Sequence, residues 1–239
     1  MPRFFTDNIS GGFGTVTGED ARHIALSLRM KVGEEVVLCR GGMDFVCELS
    51  EISPESVTCK VVEEKPCAAE PDVKLHLIQA VPKGEKAEII VQKAVELGVF
   101  DITFVLTSRC ISRPDEKSFS KKLNRYNKIA LEAAKQSGRG IIPKVYGLIT
   151  LSQAAEMLKG YDAAVWCYEK GGVSFSSLGL SPNSEIGLLI GSEGGFSDEE
   201  AAALKQSGIS PVSMGRRILR CETAPLAAAS IIMNLTGNM

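Results

Sequence analysis

The segment Gly187-Leu-Leu-Ile190 runs directly into Gly191-Ser-Glu-Gly-Gly-Phe-Ser-Asp-Glu-Glu200. An apolar run, a glycine-rich turn and an acidic helix start, in that order, describe a buried strand feeding a loop and then a helix. Ser197 is placed as the N-cap, and Asp198, Glu199 and Glu200 complement the positive end of the helix dipole. The same order recurs where Pro211-Val-Ser-Met214 enters Gly215-Arg-Arg-Ile-Leu-Arg-Cys-Glu-Thr-Ala224. Here Thr223 or Ala224 starts a helix just ahead of Pro225. In an open α/β sheet, ligands sit at the carboxyl ends of the strands, so two such loops predict a shared pocket.

Outward from these loops, strands and helices alternate. Residues 73–81, 102–106, 163–167, 186–190 and 211–214 read as strands. Residues 85–97, 119–137, about 151–159, 198–207 and 223–235 read as helices, with Gly98 and Gly138 as stops. This alternation predicts an α/β domain with a mostly parallel sheet over residues 71–239. Residues 1–70 have a different character. Strands at 35–39, 45–49 and 56–62 are separated by turn chemistry, with one helix over 19–29, which predicts a small barrel. Residues 63–72, with two prolines, four acids and no apolar period, read as a linker.

The composition narrows the chemistry. The chain has 239 residues, 44% hydrophobic and 23% charged, which suits a folded protein with a sizeable core. No stretch approaches the roughly 20 apolar residues that span a bilayer. The first ten residues lack the apolar core of a signal peptide, so a cytoplasmic location is expected. Seven cysteines without a CxxC pair, and only His23 and His76, predict reduced buried thiols, no zinc site and no serine–histidine or cysteine–histidine nucleophile. The net charge of −2 selects no partner. A basic stripe, however, runs from Lys117 through Lys121, Lys122, Arg125, Lys128 and Lys135 to Arg139, opposed only by Glu132. It serves either as a solvated helix face or as a polyanion surface.

The glycines at 191, 194 and 195 fit neither GxGxxG nor GxxxxGK[ST], and Glu193 would repel a pyrophosphate. A neutral or cationic ligand suits this loop better; a purely structural turn is the alternative. Taken together, Ile190-Gly-Ser-Glu-Gly-Gly-Phe196 and Met214-Gly-Arg-Arg-Ile-Leu-Arg-Cys-Glu-Thr-Ala224 resemble the paired signatures of the RsmE family. These are ribosomal RNA methyltransferases of the SPOUT superfamily that make N3-methyluridine in the small subunit. Gln92-Lys-Ala-Val-Glu-Leu-Gly98, Glu132-Ala-Ala-Lys-Gln-Ser-Gly-Arg139 and Arg3-Phe-Phe5 extend the resemblance over nearly the whole chain. One departure is Ser192, where the family has proline, which implies a looser loop.

The resemblance implies a PUA-like barrel over 1–70 and a SPOUT domain with a deep trefoil knot over 71–239. It also implies a homodimer through the knot region, S-adenosyl-L-methionine as cofactor, and 16S rRNA in the small subunit as partner, with no membrane and no metal. For the cofactor it points to Gly191, Glu193, Gly194 and Gly195 in the first loop. In the second it points to Met214, Gly215, Ile218, Leu219 and Arg220, with Tyr168 and Glu169 beside them. Ile218 and Leu219 either pack adenine or belong to the core. Methylation at N3 removes the imino proton and builds negative charge on the uracil ring. Arg220 is the candidate to stabilise that charge; its alternative is a salt bridge to Glu193 or Glu222. Glu222 is the candidate proton acceptor; the alternative is that it caps the last helix and water or hydroxide takes a proton whose pKa a basic environment lowers. For RNA phosphates the candidates are Arg3, Arg22 and Arg29, and then Arg109, Arg113, Lys121, Arg125 and Arg139.

Overall fold

Buried residues alternate with more exposed ones over Phe13–Thr17 and at the start of the strand from Ser56, as expected of a sheet with one covered face. In the computed structural model, which describes residues 1–239, the N-terminal strands are β1 (Arg3–Phe5), β2 (Ile9–Ser10), β3 (Phe13–Thr17), β4 (Glu35–Arg40), β5 (Met43–Ile52) and β6 (Ser56–Pro66). They form one sheet in the order β1-β4-β5-β6-β3-β2. Neighbours are antiparallel except for the parallel β1–β4 pair. Shifts of register at Val46/Cys47 and Leu49/Glu51 bend the long β5–β6 pair. The expected helix over 19–29 is a short α1 (Gly18–Arg22) continued by a π-helical turn over His23–Ser27. Ala21 and Ile24 from this segment close the core formed by Phe4, Leu38, Phe45, Leu49 and Val57.

The expected linker begins too early. Residues 63–66 continue β6, with Glu63 opposite Val46 and Pro66 opposite Met43. Their charged side chains are exposed, so the hydrophobic pattern is silent while the backbone still pairs. By contacts, this unit comprises Met1–Glu70 together with Ala134–Ile142. The later segment is tied in by ion pairs: Lys135 to Asp20 at 2.8 Å, and Arg139 to Glu70 at 2.8 Å. Glu70 also accepts the backbone N–H groups of Gly140 and Ile141.

The second unit, Pro71–Ala133 with Pro143–Met239, follows the other pattern. Its elements are β7 (Lys74–Ala80), α2 (Lys86–Glu96), β8 (Asp101–Leu106), α3 (Glu116–Ser137), β9 (Lys144–Thr150) and α4 (Leu151–Lys159). After these come β10 (Ala163–Cys167), β11 (Glu185–Ile190), α5 (Asp198–Gln206), β12 (Ser210–Val212) and α6 (Thr223–Leu235). All six strands are parallel, in the order β12-β10-β11-β7-β8-β9. Every residue of β7 after Lys74, and every residue of β11 after Glu185, is buried, because helices and loops cover both faces of such a sheet. Strand order reverses between β7 and β11, which is where an open α/β sheet forms its ligand crevice. β9 is the strand that periodicity did not predict; Gly147 interrupts its apolar run, and a register shift lies opposite it on β8.

Candidate active site

Three strands end beneath one cavity of about 600 Å³. β10 delivers Tyr168 and Glu169, β11 delivers residues 191–195, and the segment after β12 delivers residues 214–221. All eleven residues expected to hold a cofactor line this cavity: Tyr168, Glu169, Gly191, Glu193, Gly194, Gly195, Met214, Gly215, Ile218, Leu219 and Arg220.

The first loop is anchored from below and held tight at its tip. Phe196 is fully buried and packs edge-on against Trp166, whose ring also meets Tyr168 at 4.5 Å. Ser197 caps α5, as the sequence predicts, in a reciprocal box with Glu200, and the second Glu200 oxygen accepts Ser108 N–H at 2.6 Å. Within the loop, Gly195 N–H donates to the Ser192 carbonyl at 2.9 Å, a turn that Gly195 permits at φ +63°. Arg109, expected on RNA phosphate, donates to the Gly194 carbonyl at 3.0 Å from an exposed position, so it also braces the loop.

Ser192 sits at the start of this turn, bridged across it to Gly195. Its side chain is buried with no hydrogen-bond partner for the hydroxyl, and its carbonyl closes the turn. A buried unpaired hydroxyl is unfavourable, and proline at this position removes it. Ser192→Pro is therefore expected to raise ligand affinity about two- to threefold through a stiffer free loop. Calorimetry checks this, and a weaker variant contradicts it.

Glu193 is turned away from repelling a ligand. Its Oε1 accepts the Lys83 N–H at 3.0 Å and the Lys86 ammonium at 3.1 Å. Burial alone would raise its pKa, but main-chain N–H groups of Glu193 and Lys83, with Cys221 and Lys86, outweigh that and hold it at about 2. Its contribution to the folded loop is thus present above about pH 4.5 and lost as the pH falls through about 2. Lys86 also sits 3.1 Å from Glu222 Oε2, and its pKa is raised by both carboxylates. Glu222 likewise overcomes burial through its own backbone and Lys86, and its pKa is lowered. Cys221, between them, is pushed up to about 12 by burial and the two acids, so it remains a thiol.

The second loop is open to a ligand. No hydrogen bond within the chain engages the main chain of residues 216–219. Ile218 is 85% exposed, which removes the core reading; Leu219 is half-buried. Arg220 makes one distant contact, 3.9 Å to Glu222 Oε1, and none to Glu193, so its side chain is 83% exposed rather than locked in a bridge. Glu222 occupies the N-cap position of α6, but its side chain does not cap; it turns to Lys86.

The expected phosphate ligands divide. Arg3 is committed to a two-bonded pair with Asp44 at 2.5 and 2.8 Å, and Arg139 is 2% exposed against Glu70. Both guanidiniums are held by these acids and little exposed. The basic stripe is shortened accordingly, since Lys135 is also paired. Arg113 donates to the Thr107 carbonyl and Arg125 to Glu88, both from exposed positions. Arg22, Arg29 and Lys121 are exposed without an ion pair. Lys86 was missed: as one lysine among many at a helix start, only its spatial position between two acids distinguishes it. No helix is long and apolar enough to cross a membrane, and no three His, Cys, Asp or Glu side chains are grouped to hold a metal.

The class of protein, an RNA methyltransferase, is set by matches over both units. Residues 69–233 match the RNA methyltransferase domain family and residues 16–62 the RNA methyltransferase PUA domain family. The chain is 34% identical over 226 residues to ribosomal RNA small subunit methyltransferase E of Bacillus subtilis, spanning 91% of this chain and 88% of the relative. The corresponding Neisseria gonorrhoeae enzyme, solved with S-adenosyl methionine, superposes with a TM-score of 0.87 at 28% identity, covering 99% and 98% of the two chains. A Legionella pneumophila protein solved with the same cofactor gives 0.86 at 30% identity, covering 98% and 97%. The chain belongs to the ribosomal RNA small subunit methyltransferase E family, RsmE.

Proposed function

We propose that this chain transfers the methyl group of S-adenosylmethionine to N3 of a uridine in 16S rRNA of the small ribosomal subunit. One observation carries the reading: both signature loops line one cavity, and the main chain of residues 216–219 is left without partners inside it. The residues fit the cofactor. Free main-chain groups read a heterocycle without charge, and Ile218 and Leu219 supply apolar cover.

S-adenosylmethionine, when bound, supplies the electrophilic methyl group; the chain's own residues prepare its acceptor. N3 lies on the pairing edge, so the uridine is taken unpaired or flipped. Arg220, free of a tight ion pair, stabilises the negative charge that develops as the imino proton leaves. Glu222 is the candidate acceptor of that proton. Its pKa below the ordinary carboxylate range keeps it ionised and makes it a weak base, so proton removal relies on Arg220 lowering the imino pKa.

In this reading residues 1–70 form a PUA-like RNA-binding barrel and residues 71–239 a SPOUT domain, whose two loops belong to a trefoil knot through which a homodimer packs. The protein works in the cytoplasm, where its substrate is. Arg22, Arg29, Arg113, Lys121 and Arg125 contact phosphates. Combined Lys121→Gln and Arg125→Gln substitution is expected to weaken RNA binding and reduce the salt slope by about 1–2 charges, checked by titration across salt concentrations. An unchanged slope removes the helix face from the interface. The function itself is tested by supplying labelled S-adenosylmethionine to small subunits lacking the modification. Labelled methyl at one uridine is expected, and no incorporation at any assembly stage overturns the proposal.

A further inference from the structure

We propose that Lys86 is a positioning residue that clasps three strand-end loops into one ligand pocket. The inference rests on the cofactor reading above but concerns a residue outside both signature motifs. Lys86 opens α2, directly after the loop that leaves β7. Its ammonium lies 3.1 Å from Glu193 of the loop after β11 and 3.1 Å from Glu222 of the segment after β12. The same Glu193 oxygen accepts Lys83 N–H at 3.0 Å, so the β7 loop grips the β11 loop through both main chain and side chain. Lys86 then joins that pair to the third loop. It is the only ion-pair partner of Glu193; Glu222 has one other, the distant Arg220. Cys221 Sγ completes the surroundings at 3.7 Å from the ammonium and stays a thiol.

The charge count explains why a cation is needed there. Without Lys86, Glu193 and Glu222 face each other as two anions sharing one site, and like charges so placed repel. The loops they belong to would separate, and the unbonded main chain of residues 216–219 would lose its register against residues 191–195. Lys86 therefore acts on the ligand through loop geometry. A direct electrostatic role makes the opposite prediction: removing a positive charge would favour the sulfonium cofactor over its neutral thioether product.

The test uses the full-length protein and calorimetry with S-adenosylmethionine and S-adenosylhomocysteine. Lys86→Met is expected to weaken both ligands about tenfold at pH 8, with their ratio changed less than about twofold. Lys86→Arg is expected to retain most of the affinity. Adding Glu222→Gln to Lys86→Met removes one of the repelling charges and is expected to recover most of the loss. Lowering the pH to 5 is expected to recover part of it relative to the wild type, as the carboxylates come to share a proton. Hydrogen exchange of the ligand-free protein gives an independent readout: amides of residues 191–195 and 215–221 exchange faster in Lys86→Met. Wild-type affinity in Lys86→Met, a ratio shifted toward the sulfonium, or no recovery with Glu222→Gln each overturns the clasp. Failure of the wild type to bind either ligand instead overturns the cofactor reading, and the exchange comparison then still decides the clasp.

Discussion

Arg220→Ala is expected to slow methyl transfer by about 10²–10³-fold while leaving S-adenosylmethionine affinity within about threefold. The magnitude is that of removing one preorganised group from a site where charge builds in the transition state. The separation of the two effects follows from the geometry. Arg220 lines the cavity, but its guanidinium is 83% exposed and its one ionic contact is 3.9 Å long, so little of the pocket's shape depends on it. Lys86, not Arg220, neutralises Glu193 and Glu222. Single-turnover rates beside calorimetric affinities make the measurement. Equal losses in rate and affinity would assign Arg220 to the pocket wall and leave the uracil charge without its stabiliser.

Gly194→Val is expected to cost cofactor affinity roughly a hundredfold, the upper end of the ~1–3 kcal/mol penalty of overpacking. The reason is sharper than loss of open space in the cavity. A Cβ at residue 194 would stand 2.9 Å from Arg109 Cβ and 3.3 Å from the Arg109 carbonyl. Valine therefore collides with the segment behind the loop, breaks the Arg109 bond to the Gly194 carbonyl, and pushes the turn between Ser192 and Gly195 out of place. Because Gly194 is exposed, the melting temperature is expected to change little, which separates a displaced loop from a misfolded protein. Retained affinity would move the ligand away from this loop.

The helices and parallel strands of the second unit were legible because their signals are local. Apolar runs of strand length gave β7, β8, β10 and β11, and 3.6-residue spacing gave α2 and α3. Ser197 ahead of three acids announced the start of α5, and the structure adds the reciprocal bond from Glu200. The first unit was less legible. β1, β2 and β3 are two to five residues long, too short to show a period, and the charged end of β6 pairs without any apolar pattern. The two pocket loops were legible because glycine-rich turns follow strands, whereas the individual lining residues came through the resemblance to the RsmE signatures. Side-chain partnerships were not. Arg3 and Arg139 read as surface cations, yet Asp44 and Glu70 lie 41 and 69 residues away in sequence and consume them. Lys86 is 107 residues from Glu193, a distance over which spacing says nothing. The carboxylate in the middle of the glycine loop is a fastening between loops, which spacing could not show.

The most direct test of the central claim is a nucleotide-resolved map of methylation in 16S rRNA from cells with and without this protein. The account predicts that one N3-methyluridine disappears when the protein is absent and returns with the wild-type chain but not with Arg220→Ala. An unchanged methylation map in its absence would contradict the account.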